Sequence, residues 1–261
     1  MKKVLFFDVD GTLVDHGNHI DKIPNTVKKE IKRLQNKGYA LFVASGRPKA
    51  FISDTILEAG FDGYILCNGA HVELNGKMIS KRPLDKKALK KLVDILEGIK
   101  SEYILETAHH CYLKPEYEVL EAFFKTCDVD FNQITRHFNV DDVLEDTLKV
   151  EVNTKDENSQ MIVDYVDGLF DYDSHGTDNA FEIYSKSVSK ATGIQEVLDY
   201  LQISKENSYA FGDGLNDIEM LQMVGHGVAM GNACQELKDV ADEITDSILE
   251  DGLAKYLKTI E

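Results

Sequence analysis

Short apolar runs that end in polar or Gly-containing turns recur near both ends of the chain. Val4–Val9, Ala40–Ala44 and Tyr64–Cys67 are continuous rather than alternating, the pattern of strands covered on both faces in a parallel sheet. Between the first two, Asn25 to Lys37 sets Val27, Ile31 and Leu34 on one helical face, with Gly38 as the stop. Pro48 opens a second expected helix, apolar at Phe51, Ile52, Ile56 and Leu57 and ending near Gly60. The pattern returns late in the chain. Ser189–Leu201, Asp217–Met223 and Asn232–Ala241 read as helices, the last capped by Asn232; Ser208–Phe211, Gly227–Met230 and Glu243–Thr245 read as strands. Such strand–helix alternation predicts βαβ units.

The middle behaves differently. After Lys81-Arg82-Pro83, Leu84–Ile99 is one expected helix, followed by short alternating stretches at Tyr103–Thr107, Leu148–Asn153 and Ala180–Tyr184. Helical stretches near Glu116–Thr126 and Asn158–Gly168 lie between them. Mixed helices and short strands predict an α+β domain inserted into an α/β one. The expected division is 1–82 with 186–261 for the outer domain and 83–185 for the insert.

With 29 basic and 46 acidic side chains, the 261-residue chain carries a formal charge of −17. That balance speaks against nucleic acid, whose phosphates are met by clustered Lys and Arg, and against an anionic membrane surface. No stretch approaches the roughly 18 apolar residues of a membrane span, and Asp8 and Asp10 interrupt the only run that imitates a signal peptide. Four scattered cysteines without a CxxC suit a reduced, cytoplasmic protein, leaving a Cys111–Cys127 disulfide as the minor alternative.

Chemistry gathers at three strand ends. Phe6-Phe7-Asp8-Val9-Asp10-Gly11-Thr12 delivers two carboxylates where an apolar strand gives way to a Gly turn. Ligands in open α/β sheets bind outside the carboxyl ends of strands, and neighbouring carboxylates there need a cation or a shared proton. An Asp-Gly turn explains Asp10-Gly11 but not Asp8. Gly212-Asp213-Gly214-Leu215-Asn216-Asp217 repeats the arrangement before a helix. It lacks the third glycine of a dinucleotide fingerprint, and neither acidic cluster follows the EF-hand ligand pattern. Ala44-Ser45-Gly46-Arg47-Pro48 offers a hydroxyl and backbone N–H groups suited to phosphate. Lys190, near the start of a helix, gains meaning only if these three elements converge.

Together, Asp8–Thr12 (DxDGT), Ser45, Lys190 and Gly212–Asp217 (GDGxND) resemble, in order, the motifs of the haloacid dehalogenase (HAD) superfamily. Phe211–Leu221, Val228–Ala233 and the large insertion look like its Cof-like branch, subclass IIB. Ser187, where relatives often carry Gly, is the one departure. The resemblance implies an α/β, Rossmann-like HAD core with a mostly parallel sheet, plus an inserted α+β cap domain. It implies a Mg2+-dependent phosphatase acting on a small phosphorylated metabolite such as a sugar phosphate, flavin mononucleotide or pyridoxal phosphate. Asp8 would be the nucleophile and Asp10 the acid and base. Asp8, Asp10, Asp213 and Asp217 would hold the metal. Ser45, Gly46, Lys190 and Asn216 would grip the phosphoryl oxygens, with Arg47 a further candidate for substrate contact. The same resemblance leaves a phosphomutase or a non-catalytic phosphometabolite-binding regulator as alternatives, and a monomer or small homo-oligomer as the assembly.

Like charges about 4 Å apart cost about 4 kcal/mol at an effective dielectric near 20, so carboxylates facing a phosphate require Mg2+ and Lys190 as counter-charge. The cap would exclude water and contact the leaving group. His109, His110 and Cys111 cannot all converge on a metal from one strand, which leaves a structural or substrate-lining role. Asp171–Asp178, with His175, reads as a solvated or specificity loop; His16 and His19 read as loop residues after the catalytic turn.

Overall fold

The computed structural model describes residues 2–127, 129–174 and 179–261. His175 therefore lies outside the described residues. Two compact units emerge: one comprises the chain up to Gly46, Ser53–Ser80 and Ser189–Glu261, the other Arg47–Ile52 and Lys81–Val188.

In chain order the strands are β1 (Val4–Phe7), β2 (Ala40–Ala44), β3 (Gly63–Leu66), β4 (His71–Leu74), β5 (Lys77–Lys81), β6 (Glu102–Glu106), β7 (Cys111–Leu113), β8 (Ile134–Thr135), β9 (Lys149–Asn153), β10 (Asp171–Asp173), β11 (Ala180–Tyr184), β12 (Ser208–Gly212), β13 (His226–Ala229) and β14 (Glu243–Ile244). The α-helices are α1 (Asn25–Asn36), α2 (Asp54–Leu57), α3 (Lys86–Gly98), α4 (Glu118–Thr126), α5 (Val140–Val143), α6 (Asp156–Val166), α7 (Lys190–Leu201), α8 (Ile218–Met223), α9 (Gln235–Val240) and α10 (Gly252–Thr259).

The first unit is an α/β fold on a sheet ordered β14-β13-β12-β1-β2-β3-β4-β5, parallel from β14 through β3. Every residue of β1 is buried because both faces are covered. Val4 and Phe6 share a core with Ile194, Val197 and Leu198 of α7 and Met220 and Leu221 of α8. On the opposite face Phe7 stacks on Phe211, which meets Tyr256 of α10 edge-on. β4 turns back antiparallel on β3. The β4–β5 hairpin, absent from the sequence reading, turns on Asn75 and Gly76, both at positive φ (49° and 73°), as a type I′ turn requires.

The second unit carries a sheet ordered β10-β11-β9-β6-β7-β8, antiparallel apart from β7–β8. Leu89, Leu92 and Leu96 of α3 and Ile162 and Val166 of α6 join Leu105, Val150 and Ile183 in its core.

Three elements differ from expectation. The helix expected from Pro48 to Gly60 is broken: a 3-10 turn at Lys49–Phe51 is followed by extended Ile52 and Ser53, and only then by α2. Its apolar residues serve two cores, for Phe51 packs on Phe124 of α4 within the second unit while Ile56 is buried in the first. The helix expected from Asn232 starts at Gln235 instead; the Asn232 Oδ1 that would cap it accepts the Ile248 N–H. β1 stops at Phe7 rather than Val9, since the amides of Leu13 and Val14 both bond to the Val9 carbonyl in a tight turn. Among the described residues no disulfide joins the four cysteines, and no helix is long and apolar enough to cross a membrane.

Candidate active site

The sheet order creates the site. From β1 the chain steps through β2 to β3 on one side, whereas β12, β13 and β14 extend the sheet on the other. The crevice at this reversal, beyond the carboxyl ends of the strands, is where open α/β sheets bind ligands. Phe7 pairs with Phe211, and the Asp8 N–H donates to the Phe211 carbonyl at 2.9 Å. Asp8 at the end of β1 and Asp213 just beyond β12 are thus neighbours. Ser45, directly after β2, occupies the third strand end.

Lys190 converges on this point. The Ser189 hydroxyl caps the helix N-terminus and Thr192 completes the capping box, fixing the first turn of α7. The Lys190 Nζ donates to Asp8 Oδ1 at 2.6 Å and to Asp217 Oδ1 at 2.7 Å. The other oxygen of Asp217 accepts the Asp213 and Gly214 N–H groups at 3.0 and 3.1 Å. The Thr12 hydroxyl donates to Asp213 Oδ1 at 3.3 Å. Gly11, at φ +83°, leaves room for this, since a Cβ there would fall 2.0 Å from Asp213 Oδ2.

Ligand atoms of Asp8, Asp213 and Asp217 lie within 4.8 Å of one another, the one such metal-sized group of His, Cys, Asp or Glu among the described residues. Burial raises the Asp8 carboxyl well above its ordinary range; Lys190 opposes this, and Asp217 and Asp213 add to it. Asp213 is pushed up to about 7, first by burial and then by the Asp217 charge, against the pull of Lys190. Burial alone would depress Lys190, but Asp217 and Asp8 outweigh it and hold the ammonium above its ordinary range. Three carboxyl groups thus share one ammonium, and the surplus negative charge is relieved by a proton or a cation. An all-oxygen carboxylate set fits a hard divalent ion.

The remaining expected residues are placed as follows. Asp10 is exposed, and its charge is felt at Asp213. Ser45 is buried, its N–H on the Ile65 carbonyl and its own carbonyl accepting from Asn68 N–H. Asn216 is exposed in the 3-10 turn Leu215–Asp217. Arg47 belongs to the second unit and donates to the Phe51 carbonyl at 3.1 Å. His16 pairs with Asp21 at 2.9 Å in its loop. His109 and His110 line a cavity of about 180 Å³ within the second unit, beside the Lys81–Asp146 pair, while Cys111 is buried away from them in the core.

Two residues of the site escaped sequence reasoning. Asn68 is 8% exposed, in left-handed backbone (φ 53°), and its Oδ1 has no hydrogen-bond partner among the described residues. It lies beside Gly46, whose Cβ position is 3.0 Å from that oxygen. Consecutive positive φ at Cys67, Asn68 and Gly69 is strain of the kind found at functional sites; the Asn-Gly pair after β3 was its one sequence signal. Asn232 braces the first motif, with its amide donating to the Gly11 carbonyl and its Oδ1 accepting from Ile248 N–H, both at 2.9 Å.

A family model of haloacid dehalogenase-like hydrolases matches residues 5–257. The chain belongs to that family. The Bacillus subtilis protein YkrA, provisionally named a phosphatase, is 31% identical over 264 residues, covering 99% of this chain and 97% of its own. The 5-amino-6-(5-phospho-D-ribitylamino)uracil phosphatase YitU, also from Bacillus subtilis, is 31% identical over 272 residues, covering 98% and 96%. Among solved structures, the HAD subclass IIB sugar phosphatase BT4131 superposes with a TM-score of 0.81 at 28% identity, over 98% of both chains. The family, the relatives and this structural neighbour agree on one enzyme class for this HAD member, phosphatase.

Proposed function

We propose that this HAD phosphatase hydrolyses a small sugar or polyol phosphate through an aspartyl-phosphate intermediate on Asp8. The observation that carries the reading is the buried Asp8 carboxylate at the end of β1, 2.6 Å from the Lys190 ammonium and grouped with Asp213 and Asp217. Lys190 holds Asp8 in place and offers positive charge to an incoming phosphoryl group. An Asp8 oxygen attacks phosphorus; the Asp8 O–P bond forms as the bond to the leaving oxygen breaks. Asp10, exposed beside the buried cluster, gives the leaving oxygen its proton and then takes one from the water that cleaves the acyl phosphate. Ser45, Gly46 and Asn216 supply donors to the phosphoryl oxygens.

Asp8, Asp213 and Asp217, with the Asp10 backbone carbonyl, would hold Mg2+. When bound, the ion supplies positive charge against the phosphate and the carboxylates. For the substrate, the support is chemical kinship: YitU acts on a phosphorylated ribityl chain and BT4131 on sugar phosphates. Both place hydroxyl-bearing carbons beside the ester, which favours sugar phosphates over pyridoxal phosphate. The scattered cysteines support a cytoplasmic setting.

The test is a panel of phosphorylated metabolites assayed for phosphate release with Mg2+, beside Asp8→Asn. Turnover by the native chain and its loss in Asp8→Asn, with an unchanged circular dichroism spectrum, are expected. Activity retained in Asp8→Asn removes Asp8 from the nucleophilic role.

A further inference from the structure

The loop after β3 is wedged between two segments of the first unit, the Ser45–Gly46 turn and the start of α7. On one side the Asn68 N–H donates to the Ser45 carbonyl at 3.2 Å. On the other, a Cβ on Gly69 would lie 2.1 Å from the carbonyl oxygen of Ser189, the residue before Lys190. The bond to Ser45 extends the β2–β3 ladder, because the Ser45 N–H donates to the Ile65 carbonyl across the same edge. The N–H and C=O of one trans peptide point opposite ways. Holding the Ser45 carbonyl on the β3 side therefore turns the Gly46 N–H to the β1 side, where Asp8 follows Phe7.

Asn68 brings more than a backbone donor. The polar edge of its carboxamide faces the bare Cα of Gly46: the position of a Cβ there is 3.0 Å from Oδ1 and 3.6 Å from Nδ2. A side chain at 46 would fill that space, and glycine leaves it open. Asn68 is buried, yet Oδ1 finds no hydrogen-bond partner among the described residues. A left-handed turn accepts Asn for its backbone alone, but an exposed carboxamide, satisfied by water, would serve that purpose. Burying the group unpaired costs the free protein stability. Buried polar groups are paired as a rule, and at a binding site the ligand brings the missing partner.

The chemistry of the amide selects that ligand. A carboxamide carries N–H donors on one atom and an acceptor on the other, without charge. A hydrated phosphoryl group complements both. Its unprotonated oxygens accept from Nδ2, and a protonated oxygen or an accompanying water donates to Oδ1. A neutral donor also adds to the grip without adding to the carboxylate charge already gathered at Asp8, Asp213 and Asp217.

We infer that the Asn68 carboxamide is a further phosphoryl-binding group, acting beside Ser45, Gly46 and Lys190. The inference rests on the phosphatase reading.

The test is Asn68→Gly in the full chain with Mg2+. Glycine suits the left-handed backbone and keeps the N–H to Ser45, so only the carboxamide is lost. The inhibition constant of inorganic phosphate should rise at least about tenfold, the loss of one hydrogen bond to a charged group. The value of kcat/KM should fall alike for p-nitrophenyl phosphate and for a pentitol phosphate, because both share the phosphoryl group. The urea midpoint should stay level or rise, since a buried unpaired amide has gone. Asn68→Asp keeps the size and the left-handed tolerance but loses the donor and adds charge, so it should bind phosphate more weakly still. A purely conformational role predicts native phosphate inhibition in both variants; inhibition within about twofold of native in a folded Asn68→Gly, or restored by Asn68→Asp, overturns the inference. If the native chain hydrolyses neither ester, the phosphatase reading itself falls. Calorimetric titration with inorganic phosphate and Mg2+ then reads Asn68 alone: binding by the native chain that weakens tenfold in Asn68→Gly sustains the inference, and equal binding, or none by the native chain, overturns it.

Discussion

The Lys190 ammonium lies 2.6 Å from an oxygen of Asp8, although 182 residues separate the two in the chain. Both are buried, and Lys190 also holds Asp217. One cation thus organises the ends of two strands and the start of a helix.

Lys190→Met leaves two buried carboxylates without their counter-charge. Removing one partner of a buried ion pair costs about 3–5 kcal/mol. We expect a loss of that order in urea unfolding, partly recovered with Mg2+, and a fall in turnover larger than any rise in KM. Unchanged stability in the absence of metal would contradict a structural role for the pair.

Burial and then the Asp217 charge push the Asp213 carboxyl up to about 7 in the folded chain. In the unfolded chain it titrates near 3.8. Between these values the native state holds a proton that the unfolded state lacks, so this group's contribution to stability falls as pH rises through that window. Asp213→Asn should flatten that part of the stability–pH curve in the presence of EDTA. A divalent ion competes with the same proton, so Mg2+ should bind more tightly at about pH 8 than at about pH 6 by calorimetry. Equal affinities would remove Asp213 from the metal set.

Gly69 has φ +97°, and a Cβ there would lie 2.1 Å from the Ser189 carbonyl oxygen. Gly69→Ala therefore strains the backbone, at about 1–3 kcal/mol for a disfavoured φ, and pushes on the residue that caps the Lys190 helix. A lower melting temperature together with a reduced kcat is expected. Loss of stability with full turnover would show that Lys190 tolerates the shift.

Asp10→Asn removes the proposed proton donor. It should slow hydrolysis of alkyl phosphates much more than that of p-nitrophenyl phosphate, whose leaving group needs little protonation. Equal slowing of both would argue against general acid catalysis by Asp10.

Much of the fold was legible because its signals are local. Unbroken apolar runs of four or five residues produced β1 and β2, and the Asn25–Lys37 periodicity produced α1. The hairpin at Asn75-Gly76 was equally local and was passed over, being exposed and short of apolar residues along β5. The Pro48–Gly60 stretch misled for a different reason: its apolar spacing is helical, yet Phe51 and Ile56 belong to separate cores. Lys190 has no local signal of its own in the sequence beyond its place near a helix start; only the packing of α7 makes it one of the most buried cations of the chain.

The order of residues by itself determined which side chains stand at the ends of β1, β2 and β12, because hydrophobic period and turn chemistry act over a few neighbouring positions. It determined the acidic and amide character of those ends and the family to which they belong. Only tertiary structure decided that Lys190 bridges Asp8 and Asp217, that Asn68 and Asn232 support the loops, and that Lys149 sits buried among three glutamates. Those outcomes depend on strand order and on the close approach of distant segments, and burial then sets the strength of each charge. No local pattern carries that information.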